Sequence, residues 1–344
     1  MTKPWASVSL VLLLVMTLAA RIARAQTPDD KPVTRLDPTL DSLVSPDAKL
    51  EVVKRGFQYT EGTNWIQRGK TGYLLFSDIR AKVLYKMTFD AQGAVSVENA
   101  GYNGPIDGLT VDPKGGLVLC TLSGRSIDLI KKNGKHIVLA TGYEGRPFGA
   151  PNDVVVKKDG AIYFTDPPSP AGRPGFSPAT GVGGENKDGS KQSDFPGLYM
   201  IKHGKVTLVV NDMPTFNGLA FSNNEKYLYV NGNTLNYIRR YEVQRDDTLA
   251  NGEMLIDMSA DKSPGITDGM RVDSEGNIYE SGPGGVWIIT PEGKHLGTIR
   301  TPEKVTNITF GDADWKTLYV AARTTIYKIR VNVPGQPCNS CSPK

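Results

Sequence analysis

Asp107 to Leu119 reads DGLTVDPKGGLVL, and its pattern recurs along the chain. Asn152 to Phe164 gives NDVVVKKDGAIYF, Asn217 to Val230 gives NGLAFSNNEKYLYV, and Asp268 to Tyr279 gives DGMRVDSEGNIY. A looser copy runs from Asn307 to Val320 (NITFGDADWKTLYV). A degenerate first copy opens at Glu61-Gly62 and resumes at Gly72 to Phe76 (GYLLF). Each copy is an acidic or amide residue, usually a Gly, a β-rich run, a polar turn and a second β-rich run. Turns such as Asp112-Pro113-Lys114-Gly115, Lys158-Asp159-Gly160 and Ser274-Glu275-Gly276-Asn277 supply residues that tolerate positive φ. The flanking runs are rich in Val, Ile, Leu, Tyr and Phe, so each copy is a hairpin by its own chemistry.

The lead residues stand at 61, 107, 152, 217, 268 and 307, with spacings of 46, 45, 65, 51 and 39. Periods of that size with several strands each are those of propeller blades. Further strand pairs lie between the hairpins, as in Gly197 to Val210 and Gly285 to Ile299, giving about four strands per unit. No long apolar segment of helical period follows Ala25. The last unit is one strand short, because only Thr325 to Val331 remains after Val320. Leu50 to Gly56 is predicted to supply that strand and close the ring. The expectation is an all-β six-bladed β-propeller with a central metal site, spanning residues 45–333. Residues 26–44 read as a polar lead-in and 334–344 as a Pro- and Cys-containing tail.

Composition agrees with a globular chain: 344 residues, 39% hydrophobic and 22% charged. Met1 to Ala25 reads as a secretory signal peptide: Lys3, an apolar run from Ala6 to Ala20, and Ala23-Arg24-Ala25 before Gln26. Cleavage is expected between Ala25 and Gln26, with a periplasmic or secreted product and no membrane contact afterwards. Removing Lys3, Arg21 and Arg24 from 40 bases leaves 37 against 36 acids, which offers no footprint for nucleic acid. Three Cys make no disulfide framework. Cys338 and Cys341 read as a small disulfide or a frayed tail, and Cys120 as a buried thiol. Residues 167–196 hold six Pro, six Gly and four Ser. This insertion must be a loop, either a lid over the pocket or idle.

Standard hydrolase and phosphate-binding motifs are absent. His136, His203 and His295 sit in turns beside Gly and Lys, read as solvated hairpins with no catalytic part. The lead positions offer more. Glu61, Asp107, Asn152, Asn217, Asp268 and Asn307 all present side-chain oxygens, and a propeller converges such positions on its axis. Oxygen donors without His or Cys suit a hard cation, Ca²⁺ or Mg²⁺. Trp65, Phe148 and Phe216 adjoin this set and read as propeller packing rather than pocket walls.

With these residues in view, residues 50–332 resemble the gluconolactonase, regucalcin (senescence marker protein) and luciferin-regenerating-enzyme family. The resemblance rests on GYLLFSD (72–78) after Glu61-Gly62, on APNDVVVKKDGAIYFTDP (150–167), and on FNGLAF (216–221). TDGM (267–270), GPGGVWIIT (282–290), Thr306-Asn307 and Ala322-Arg323-Thr324 complete it. It implies a metal held by Glu61, Asn152, Asn217 and Asp268, with Ca²⁺ first and Mg²⁺, Zn²⁺ or Mn²⁺ as substitutes. It further implies hydrolysis of a small-molecule sugar lactone such as glucono-1,5-lactone. Asp268 would be the catalytic base, and Asn152 and Asp107 would contact substrate. The other readings are a calcium-stabilised binding propeller without activity, or a hydrolase of another strained ester or phosphotriester. The chain departs from the family after its second-blade strand. Cys120-Thr121-Leu122-Ser123-Gly124-Arg125 stands where bacterial relatives often carry C-E-H-G-N-R, and the Glu and His are gone. The oligomeric state is not legible.

Overall fold

The computed structural model describes residues 31–167, 196–233 and 235–337. The expected signal peptide, the 167–196 insertion beyond Pro167 and the Cys338/Cys341 pair lie outside the described residues. Six antiparallel four-stranded units follow one another along the chain. Blade one holds Thr60–Arg68, Thr71–Asp78, Val83–Phe89 and Val95–Asn103. Blade two holds Ile106–Val111, Leu117–Thr121, Ser126–Ile130 and His136–Ala140. Blade three holds Val154–Val156, Ile162–Asp166, Gly197–Lys202 and Lys205–Val210. Blade four holds Leu219–Phe221, Tyr227–Gly232, Tyr237–Val243 and Leu249–Asp257. Blade five holds Met270–Val272, Ile278–Gly282, Gly285–Ile289 and His295–Arg300. Blade six holds Asn307–Gly311, Thr317–Ala322, Thr325–Arg330 and, out of sequence order, Glu51–Arg55.

That last strand closes the ring. Glu51–Arg55 pairs antiparallel with Thr325–Arg330, so a strand from before blade one completes blade six, as its missing strand required. The innermost strand of each blade touches the innermost strands of both neighbours, blade six against blade one included. Apolar side chains of facing sheets fill the space between blades. Trp65 stacks on Tyr319 with centroids 5.4 Å apart, joining blades one and six. Phe148 packs edge-on against Phe164 and Tyr199, and Phe216 is fully buried in the blade-four core. All three aromatics are therefore packing residues.

The stretch read as a polar lead-in does more. Val33–Arg35 pairs with His295–Arg300 and gives blade five a fifth strand. A short helix, Leu40–Leu43, then buries Leu40 and Leu43 in the core shared by blades five and six. The apolar content of LDSLV (40–44) is small but concentrated, which a reading by average polarity misses. His295 also departs from expectation. It is half-buried, its ring stacks on Trp287 at 3.7 Å, and burial holds its pKa below the ordinary value. Cys120 is a free buried thiol.

Because every innermost strand starts within two residues of its lead residue, the six lead positions share one end of the central channel. At the other end is a cavity of about 130 Å³ lined by Asn64, Thr110, Val156, Arg271 and Phe310. The tail crosses it. Ser274 N–H donates to Pro334 O at 2.8 Å and Gln336 N–H to Val272 O at 2.9 Å.

Candidate functional site

At each of the six blade junctions a hydrogen bond ties the backbone of a lead residue or of the residue just before it. Ser77 Oγ donates to Asp107 O at 3.0 Å. Gly108 N–H donates to Asn152 O at 2.6 Å, and Thr165 Oγ1 to Asn217 O at 2.6 Å. Asn231 Nδ2 donates to Asp268 O, Gly269 N–H to Thr306 O at 2.8 Å, and Thr306 Oγ1 to Thr60 O at 2.7 Å. Two glycines show why the lead residue is so often followed by Gly. A Cβ at Gly108 would lie 2.6 Å from Asn152 O, and one at Gly218 would lie 1.8 Å from Asp268 O. Neighbouring blades approach that closely only where no side chain intervenes.

The side chains above this frame are linked as well. Asn152 Nδ2 donates to Asp107 Oδ2 at 3.0 Å. Asn307 Nδ2 lies 3.4 Å from Glu61 Oε2, and Asn307 Oδ1 accepts from Thr63 Oγ1 at 3.0 Å. Asn217 hydrogen-bonds the Asp268 carboxylate. The six lead residues thus form three hydrogen-bonded pairs around the channel end, and charge couples the carboxyls of one pair to those of the others. Glu61, Asn217, Asp268 and Asn307 are buried, while Asp107 and Asn152 are partly exposed. Burial pushes the Glu61, Asp107 and Asp268 carboxyls well above their ordinary range. Asp268 adds to the effect on Glu61, Asp153 to that on Asp107, and Asp107 to that on Asp268.

Other residues escape a reading of lead positions alone. Asn231 Oδ1 accepts from Gly218 N–H at 3.0 Å, while its Nδ2 donates to Glu280 Oε1 at 2.9 Å. Glu280 Oε1 also accepts from Asp268 N–H at 3.2 Å. This pair therefore fixes the backbone on both sides of the junction between Asn217 and Asp268. Ser77, Thr165 and Asn231 each close the apolar run of a second strand, a repeat position visible in LLFSD, IYFTD and LYVNG. Asp153 is buried with Oδ2 unpartnered, below the ring. Tyr59 overhangs it, close enough to Asp268, Glu61 and Asp107 that burial and their charge keep its phenol protonated. Leu122 packs against Ala150 and Ile79 in a small apolar cluster.

Whether the set suits a cation is a question of donor chemistry. Among the described residues, no three or more His, Cys, Asp and Glu side chains gather tightly enough to hold a metal by themselves, so a central metal centre is not itself shown. Amides would have to take part. Asn217 Oδ1 is buried without a hydrogen-bond partner, an acceptor that a cation would satisfy. Three neighbouring carboxyls that resist ionisation together would be relieved by a dication. Asn217 on the first count and Glu61 and Asp268 on the second fit a hard cation, and Asn152 beside Asp107 offers a further amide oxygen.

The profile of the SMP-30/gluconolactonase/LRE-like region matches residues 26–141 and 132–324. The chain belongs to this family. A gluconolactonase of Zymomonas mobilis is 27% identical over 323 residues, covering 88% of this chain and 87% of the relative. A pentonolactonase of Haloferax volcanii is 28% identical over 138 residues, 38% of this chain and 47% of its own. The solved gluconolactonase of Xanthomonas campestris superposes with a TM-score of 0.74 at 25% identity, covering 89% of this chain and 98% of its own. A calcium-binding regucalcin of Agrobacterium tumefaciens has the same fold, with a TM-score of 0.64 at 20% identity over 83% of this chain and 95% of its own.

Proposed function

We propose that this family member is a lactonase that opens a sugar lactone by hydrolysis at the lead-residue ring. The observation that carries the reading is the clustering of Glu61, Asp107, Asn152, Asn217, Asp268 and Asn307, four of them buried, at one end of the channel. The gluconolactonase relative, similar over most of its length, supplies the reaction class. Glu61, Asn152, Asn217 and Asp268 would hold a divalent cation, Ca²⁺ before Mg²⁺. When bound it would polarise the lactone carbonyl and offset the negative charge that develops on its oxygen.

The chain's own residues do the rest. Asp268 is fixed through its backbone by Asn231 and Glu280, so its carboxylate is held in place for proton transfer. Water adds to the carbonyl carbon and gives its proton to Asp268. The ring C–O bond breaks, and the ring oxygen leaves as the hydroxyl that takes this proton. Asp107, through its bond from Asn152 Nδ2, orients that amide. In this reading the chain is exported, cleaved between Ala25 and Gln26, and works as residues 26–344. The test is proton release from glucono-1,5-lactone by residues 26–344, beside Asp268→Asn. Rates well above spontaneous opening that vanish in the variant support the reading. Rates equal to background in both overturn it.

A further inference from the structure

Two arginines stand at the mouth of this site, and neither is in an ion pair among the described residues. The Arg80 guanidinium lies 5.4 Å from the centroid of the Tyr59 ring, and that of Arg323 lies 5.8 Å from it. Both residues are exposed. Among the described residues, neither guanidinium makes a hydrogen bond or an ion pair; each stacks on Tyr59, and the charge of Arg323 also acts at longer range on the Asp268 carboxyl. Several other arginines are matched to carboxylates: Arg35 to Asp41, Arg240 to Glu253 and Arg330 to Asp314. A carboxylate is even within reach of the Arg323 turn. Glu303 spends its oxygens instead on Thr324 N–H at 3.0 Å, Thr324 Oγ1 at 2.7 Å and Thr325 Oγ1 at 2.6 Å.

The platform beneath the two arginines is fixed. Asp78 accepts from Gln58 N–H at 2.7 Å and from Tyr59 N–H at 3.0 Å, and Ile79 N–H donates to Tyr59 O at 2.9 Å. Arg323 is held in a left-handed turn at φ 50°, and its carbonyl accepts from Thr60 N–H at 2.8 Å and Thr60 Oγ1 at 2.9 Å. Thr60 directly precedes Glu61. The two guanidinium groups are thereby set over a ring that aligns them, beside a pocket that already carries three carboxyls.

Such an arrangement has a specific use. A substrate bearing negative charge would be repelled by Glu61, Asp107 and Asp268, and two planar cations with all donors available would offset that repulsion. Guanidinium groups grip carboxylate, phosphate or sulfonate oxygens in pairs. A neutral lactone would gain little from them. We propose that the substrate is an acidic lactone, whose carboxylate, phosphate or sulfonate is bound by Arg80 and Arg323 above Tyr59.

This inference rests on the lactonase reading and sharpens it. The experiment measures kcat and KM of residues 26–344 for glucono-1,5-lactone, its 6-phosphate and glucaro-lactone. The same panel is run on Arg80→Gln/Arg323→Gln and on the matching Lys pair. The expected result is a preference for the two anionic lactones of roughly 10- to 100-fold in kcat/KM, expressed mainly in KM. That ratio should fall to about one in the Gln pair, recover in part in the Lys pair, and shrink as salt rises. A neutral lactone opened as fast as its anionic counterparts, or a ratio unchanged in the Gln pair, would overturn the inference while leaving the lactonase reading intact. Failure to open any of the three would sink both.

Discussion

Asp268 shows how much of the site is made by residues that never touch substrate. Its carboxylate belongs to a ring of six, but its backbone is gripped by Asn231 and Glu280. Asn231→Ala should therefore weaken divalent-cation binding about 10- to 100-fold, the usual cost of removing a group that orients ligands. Titration calorimetry checks this, with circular dichroism to show that the fold persists. Asp268→Asn should cut turnover by about 10²- to 10⁴-fold, the range for loss of a positioned base. The pH dependence follows from the raised pKa values of Glu61, Asp107 and Asp268. A carboxyl whose folded pKa exceeds its unfolded one stabilises the fold below the unfolded value, and that contribution is lost as pH rises through the folded value. In EDTA, the melting temperature should fall as pH rises above the ordinary carboxylate range near 4. Calcium should reverse the loss, and its affinity should climb with pH, because these groups must release protons to bind it. A melting temperature that is flat or rises over that range in EDTA would contradict the assignment.

Strands and junctions obey tighter limits than the hairpin pattern suggests. Gly218 follows a lead residue, as Gly does at four of the six positions, and the reason is the backbone of the next blade. Gly218→Ala would press a methyl onto Asp268 O and should cost about 1–3 kcal/mol in chemical denaturation. The hairpins, their turns and the borrowed strand Glu51–Arg55 were all legible, because alternation of apolar residues and Gly-containing turns is local information. The segment from Lys31 to Val44 was not. Leu40, Leu43 and Val44 find their partners in blades five and six, at the far end of the chain, and no window of sequence contains both sides of that contact. Leu40→Ala should lower stability by about 2–5 kcal/mol, measured by urea unfolding. A loss no larger than that of an ordinary surface substitution, about 0.5 kcal/mol, would mean that this segment is as peripheral as its polarity suggests.

For the molecule as a whole, the ring explains why so short a repeat can build a site. Each blade contributes one oxygen-bearing lead residue and one junction hydrogen bond, and closure by the N-terminal strand fixes all six at once. The six positions were legible because they recur in register. Tyr59, Arg80, Arg323 and Glu280 were not, since each occurs once and gains its meaning from neighbours on other blades.

One measurement bears on the ring and its chemistry together: initial rates of lactone opening by residues 26–344 after stripping with EDTA, followed by titration with calcium. The substrates are glucono-1,5-lactone and its 6-phosphate. The ring predicts background rates in EDTA and recovery that saturates at one calcium per chain. Rates untouched by EDTA, or recovery without a one-to-one endpoint, would contradict it.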